Sequence, residues 1–208
     1  MKKKTLLFIL LLIVLFIASF AITSIVIKLI DKGYNYEGKS GSYRIDVDKI
    51  ENITIYSAHV KRHNIEYIYR FRNKPEDLET IYLEEELIKK LNRPRGLNIL
   101  YVTRDKDLGN KTNDDVLIAA EAFEAVLGTN DYGMYQIRIR NAYTTRENSK
   151  VPKISCEDAS VADAVIYMKL GSENKVYSEG ECIIIQGTDG HGLIKAAEKF
   201  GYYLIGVF

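Results

Sequence analysis

Gly187 to Gly192, GTDGHG, follows an apolar run from Cys182 and precedes a helical pattern from Leu193. Strand, glycine loop and helix is the arrangement that seats a phosphate on backbone amides. Gly187 and Gly192 have the outer spacing of a P-loop. Leu193 and Ile194, however, stand where that motif needs a Lys for the transferred phosphates and a hydroxyl for Mg²⁺. The order G-x-x-G-x-G also differs from the dinucleotide fingerprint G-x-G-x-x-G. What remains is a tight strand-to-helix turn, capped by Thr188 or Asp189, with the glycines expected at positive φ. An anion seated on the exposed amides is the alternative.

The second polar loop, RDKDLGNKTNDD (Arg104 to Asp115), starts like a calcium loop with Asp105 and Asp107. It then places Gly109 where a fifth-position ligand belongs and Val116 where the bidentate Glu belongs, so it is not an EF-hand. If strand 97–103 and strand 182–186 run parallel, both polar loops leave one edge of the sheet, where α/β proteins place ligands. The candidate binding cluster is then Asp105, Asp107, Asp114, Asp115, Gly187, Thr188, Asp189, Gly190, His191 and Gly192. His59, His63 and Glu66 have a spacing that on a helix would bring two imidazoles to one zinc. Their neighbourhood alternates as strands do, which puts residues four apart roughly 13 Å from each other unless a turn intervenes. Surface histidines at a hairpin are the reading adopted, with no metal, no cofactor and no catalytic triad, thiol pair or carboxylate dyad legible in the order of residues.

These loops need a scaffold and a location. Thr5 to Ile27 is an uncharged apolar run of 23 residues, spanning roughly 34 Å as a helix against a hydrocarbon core of about 30 Å. A cleaved signal peptide with Ser19-Phe20-Ala21 as its processing site is the competing reading, but the apolar run exceeds the usual h-region of about 7–15 residues. Residues 1–30 are therefore expected to be an uncleaved transmembrane anchor in the bilayer. Asp31 to Ser42 would be a linker, with Tyr34 and Tyr36 near the headgroups, and residues 43–208 an extracytoplasmic domain. Lysines flank the span on both sides, so the positive-inside rule alone barely orients it. Cys156 and Cys182, the only cysteines, favour the domain outside and the N-terminus inside, because a disulfide between them persists outside the cytosol. Two unpaired buried thiols are the alternative. Asn52-Ile53-Thr54 and Asn110-Lys111-Thr112 are sequons compatible with that exterior face. Of 29 basic and 28 acidic residues, five and one lie within residues 1–32, which leaves the body net acidic by three. That balance argues against nucleic acid as a partner.

Within the body, YRIDVD, NITIYS and IEYIYRFR alternate apolar and polar positions as half-buried strands do. After a break at Asn73 to Glu76, Leu78 to Leu91 carries a helix-like stripe of Leu78, Ile81, Tyr82, Leu87, Ile88 and Leu91. A strand over 97–103 follows, then a helix from Asn113, its cap, to Gly128. MYQIRIR reads as another strand. AVIYMKL and ECIIIQ supply two more around a turn at Gly171 to Asn174, and a final helix over 193–204 buries Leu193, Ala197, Phe200 and Leu204. Strands alternating with helices predict an α/β or α+β fold with helices packed on a mixed sheet. Many of the fifteen tyrosines fall in strands, where sheet-face packing accounts for them.

VIYMKLG, a short hairpin, CIIIQGTDGHG and AAEKFGYYLIG together resemble the end of a small α/β domain. That domain precedes the catalytic barrel in hexosaminidase-like and α-glucuronidase-like glycosidases. The resemblance covers about residues 164–206 and rests on Gly187, Asp189, Gly192 and Ala196. The carboxylates of those enzymes lie in the barrel, for which these 208 residues have no counterpart, so it implies a fold fragment rather than an activity. The same stretch is similar to the ends of uncharacterised archaeal surface proteins with one N-terminal anchor. The functional expectation is a membrane-anchored, single-pass, non-catalytic binding or assembly component of a cell-envelope complex, with protein partners or self-association. The alternative is an envelope enzyme acting on a glycan or other anionic substrate through loops 104–115 and 187–192, and a domain released by cleavage at Ala21 is a third possibility.

Overall fold

The computed structural model describes residues 33–92, 96, 98–131, 133–145 and 150–208, together with Ile13, Phe16, Ile17 and Ser19. The chain divides into two compact units, Met1–Tyr34 and Asn35–Phe208. In the first, Ile13, Phe16, Ile17 and Ser19 are helical, and the rest of the expected span 5–27 lies outside the described residues. Among the described residues no helix is long and apolar enough to cross a membrane.

The second unit is a mixed α/β structure with two sheets. β1 (Tyr34–Gly38), β2 (Gly41–Ile50), β3 (Ile53–Arg62) and β4 (Ile65–Phe71) form one sheet in that order, and β2, β3 and β4 pair antiparallel. Alternation sets its faces: Ile45, Ala58 and Tyr69 stand opposite one another and are buried, while Arg44, His59 and Ile68 share the outer face. The second sheet contains β5 (Tyr82–Leu83), β6 (Ile99–Arg104), β7 (Ile139–Tyr143), β8 (Asp163–Leu170), β9 (Lys175–Glu179) and β10 (Cys182–Gly187), in the order β5-β9-β10-β8-β6-β7. β7, β6, β8 and β10 run parallel, and β9 is antiparallel to β10. All six residues of β10 are buried, as the apolar run Cys182 to Ile185 on a central strand between β8 and β9 demands.

The helices are α1 (Ile88–Leu91), α2 (Leu108–Lys111), α3 (Asp115–Leu127) and α4 (Gly190–Leu204). α3 and α4 pack together; α4 lies on β8, β9 and β10, and α3 lies against β4. Phe71 of β4 stacks on Tyr202 of α4 at 3.9 Å between ring centroids. The two helices thus form a layer between the sheets, and α4 buries Gly201, Tyr202 and Glu198 as well as Leu193, Ala197, Phe200 and Leu204. A helix covered on both sides cannot keep a polar face. The far side of the mixed sheet packs Val165, Cys182 and Ile184 under Ile154, Cys156 and Ala159. The Cys156–Cys182 disulfide fastens that covering segment, and Thr103 Oγ1 adds a hydrogen bond to the carbonyl of Ile154 at 2.6 Å.

Several elements differ from the expectation. The stretch Leu78 to Leu91 is not one helix: a 3-10 turn at Pro75–Leu78, β5 and α1 divide it. Tyr82 and Leu83 pair with Lys175 and Val176, the Glu84 carboxylate accepts from Ser178 N and Oγ, and Glu86 takes φ 68°, so tertiary pairing overrides the stripe. Leu78, Ile81, Leu87 and Leu91 are nevertheless buried. Residues 134–138 are not strand, because Gln136 has φ 53° and the amides of Met134 and Ile137 bond back to Val126 and Leu127 at the end of α3. β8 and β10 are parallel neighbours rather than the arms of a hairpin; β9 lies between them in sequence and turns into β10 through Gly180 at φ 57°. Tyr34–Gly38, inside the stretch read as a linker, is edge strand β1. Gly38 is held close to the chain end, where an added Cβ would stand 2.7 Å from the Val207 carbonyl, and Lys39 N donates to that oxygen. Asn113 is not the cap of α3; it and Asp114 have φ 47° and 64°, and no side chain caps that helix.

Candidate functional site

β6 and β10 are both parallel to β8, so the loops that follow them do leave the same sheet edge. The loops also touch. A Cβ built on Gly190 would lie 2.5 Å from Asp115 Oδ2 and 2.9 Å from the Thr112 carbonyl. None of Gly187, Gly190 and Gly192 has positive φ, contrary to expectation. Their role is close approach: a Cβ at Gly187 would meet Leu193 N at 2.2 Å, and one at Gly192 would meet Asn174 Oδ1 at 2.3 Å. Asp189 is the N-cap, accepting from Gly192 N at 2.7 Å, while Thr188 N donates to Asn174 Oδ1 at 2.8 Å.

The remaining candidates, Asp105, Asp107, Asp114 and His191, lie in four separate places. Asp105 accepts from Thr144 Oγ1 at 2.6 Å and from the Tyr167 hydroxyl at 3.2 Å. Burial, followed by the Asp105 charge, pushes the Tyr167 phenol up to about 12. Asp107 pairs with Lys111 at 2.6 Å on the surface, and that bond holds its carboxyl below the usual range. Asp114 stands beside Gly109, and His191 is exposed on the first turn of α4. The edge therefore brings Asp115, Gly190 and the Asp189 cap together, and leaves Asp105 and Asp107 in separate bonds.

His59 lies within β3 and not in the turn, which is formed by His63 and Asn64 at φ 49° and 65°. That turn folds Glu66 back to 3.1 Å from His59 Nδ1, and Asp46 reaches His59 Nε2 at 2.8 Å. Arg44, bonded to Asp46 at 2.7 Å, is the principal cause of a lowered Asp46 pKa, with His59 adding to it. His63 takes no part, so the zinc-like spacing yields one imidazole between two carboxylates. Among the described residues no group of three His, Cys, Asp or Glu side chains is arranged to hold a metal ion.

Sequence reasoning missed a cleft of about 440 Å³ between α3 and edge strand β7, lined by Arg104, Glu121, Glu124, Asn130, Ile139 and Asn141 among others. Glu124 Oε1 is buried there without a hydrogen-bond partner. Burial raises its pKa against the attraction of Arg104, and Glu121 adds to the rise. Arg104 itself lies over the Tyr143 ring at 5.6 Å. The signal was present in the sequence, since Glu124 falls on the stripe of Ala120 and Leu127, both buried.

No protein-family model matches the chain, and comparison with curated proteins and with solved structures returns no match either.

Proposed function

We propose that the protein is a membrane-anchored, non-catalytic binding or assembly component of a cell-envelope complex, inserted through residues 5–27 with its C-terminal domain outside. The observation that carries this reading is how the polar groups of the candidate loop edge are used. Asp189 caps α4, Asp105 receives two hydroxyls and Asp107 pairs with Lys111, so these carboxylates serve the architecture of the edge. The Cys156–Cys182 disulfide supports an extracytoplasmic domain, because such bonds persist in oxidising compartments. The resemblance of residues 164–206 to the small glycosidase domain fits this reading, because in those enzymes the carboxylates that carry the chemistry lie in a different domain.

The test is affinity purification of the full chain in mild detergent from its native membrane, with intact mass spectrometry of everything that travels with it. Stoichiometric companion chains, with residues 1–32 retained, are expected. A lone monomer would count against the assembly reading and turn attention to the rival, an enzyme acting on a glycan or other anionic substrate. That rival needs Asp105, Asp107, Asp189 and His191, and alanine at these positions would then abolish a cell-based phenotype without dissociating any complex.

A further inference from the structure

We propose that β4 is a self-complementary edge through which two copies of this chain pair antiparallel about a two-fold axis at Ile68, merging their four-stranded sheets into one of eight strands. This rests on the assembly reading above and names the partner. Among the described residues β4 is the last strand of its sheet and pairs only with β3. The β3–β4 turn has two residues, both at positive φ, and its closing pair is Arg62 with Ile65. In such a hairpin the closing pair is hydrogen bonded and bonded pairs alternate along the ladder. Ile65, Tyr67, Tyr69 and Phe71 therefore bond to β3, while the backbone groups of Glu66, Ile68 and Arg70 point to the open edge.

The sequence of that edge is symmetric in chemistry about Ile68. Pairing the strand with itself puts Ile68 opposite Ile68, and Glu66 of each copy opposite Arg70 of the other. Tyr67 then stands opposite Tyr69, and Ile65 opposite Phe71. The three residues that face outward are those whose backbone groups form the new ladder, so register and hydrogen bonding agree. Ile68 is 47% exposed, and Arg70 is exposed with no ion pair among the described residues. Exposed edges usually carry lysine or proline against such pairing, and β4 has neither. Its two charges instead cancel across the axis, where opposite-charge cross-strand pairs are favourable and like charges unfavourable. A groove of about 530 Å³ runs between this edge and α3, with Ala122 and Ala125 on the helix side, and gives a second strand room to approach.

The test uses the full chain in detergent, with protein mass measured by light scattering. The wild type is expected to be a dimer. R70E, which sets a second carboxylate against Glu66 on each side of the axis, is expected to raise the dissociation constant at least tenfold, as E66R alone should by the opposite clash. The swap E66R/R70E restores the dimer, and that rescue also shows that the single variants fail through charge and not through misfolding. Independently, Ile68→Cys places two thiols in a bonded pair about 5.5 Å apart between Cα atoms, within disulfide range. Because Cys156 and Cys182 are joined, no other thiol competes. Oxidation should give a covalent dimer from I68C and none from R70C, whose symmetry mate stands roughly 13 Å away. A monomeric wild type, a dimer indifferent to R70E, or cross-linking of R70C in preference to I68C would overturn the proposal. Companion chains recovered from a monomer would overturn self-pairing alone, and a monomer recovered without companions would overturn the assembly reading with it.

Discussion

Glu198 and Lys199 are adjacent on α4, both nearly inaccessible, and their pKa values move towards each other. Burial raises Glu198 to about 7 although Arg72 N, Asn73 N and Asn73 Nδ2 all donate to it, and burial lowers Lys199, whose Nζ lies 3.2 Å from the Phe208 ring centre, to about 8. A folded carboxyl titrating above its unfolded value contributes stability at low pH that is lost as pH rises from about 4.5 to 7. A folded ammonium titrating below its unfolded value contributes stability above pH 10.5 that is lost as pH falls to about 8. Urea denaturation across pH is thus expected to show least stability near pH 7–8. Glu198→Gln should flatten the acid limb, worth roughly 3 kcal/mol in all, and Lys199→Met the alkaline one. Neither residue announced itself in the sequence, because Glu198 meets Arg72 and Asn73, more than 100 residues away, and Lys199 lies against the ring of Phe208 beyond the end of α4. Glu124 is a related case. Replacing its orphaned carboxylate by leucine is expected to stabilise by about 1 kcal/mol, a rise in Tm of about 2–4 °C. The gain should be larger at pH 8 than at pH 5, since the raised pKa means that the charged form is the costly one.

At the level of elements, the GTDGHG turn was legible as a cap and illegible as a packing junction. Asp189 caps α4 as its type and position imply, and Asp189→Ala should cost about 1 kcal/mol, read from the denaturation midpoint. Gly187→Ala should cost more, at least about 1–3 kcal/mol, because the added methyl meets the backbone of Leu193. Were the loop a phosphate cradle, the same substitution would instead change the heat of phosphate binding without unfolding the protein. The glycines signal a special backbone in either case. Whether the need is positive φ or close approach depends on what lies opposite, and Asn174, Asp115 and Thr112 come from other parts of the chain. The helix expected over residues 78–91 failed for the same kind of reason. Its apolar stripe correctly marked Leu78, Ile81, Leu87 and Leu91 for burial, but β5 exists only because β9 is there to pair with it.

Taken whole, the domain gains from its disulfide by closing a loop between positions 26 residues apart. The chain-entropy model gives that cross-link about 3–4 kcal/mol. The C156A/C182A variant is expected to unfold at correspondingly lower denaturant, and to expose the 154–159 segment to proteolysis before β10, which stays buried on its other face. The bond also fastens a covering segment that has little regular structure of its own, a 3-10 turn at Cys156–Asp158. Without it the outer face of β8, β9 and β10, including Tyr167 and Tyr177, loses the segment that packs on it.

Local chemistry along the chain was enough to specify the period-two strands β2, β3 and β4, the apolar central strand β10, the extent of α3 to within two residues and the buried stripe of α4. Each is encoded within a window of about fifteen residues, where side-chain alternation and capping chemistry act locally. Composition likewise left Cys156 and Cys182 only each other to pair with. That their side chains meet, that two parallel strands carry the polar loops to one edge, that a helix lies between two sheets, and that β4 is last in the strand order of its sheet became visible only in three dimensions. Those facts depend on which distant surfaces come into contact, and sequence spacing holds no record of that distance.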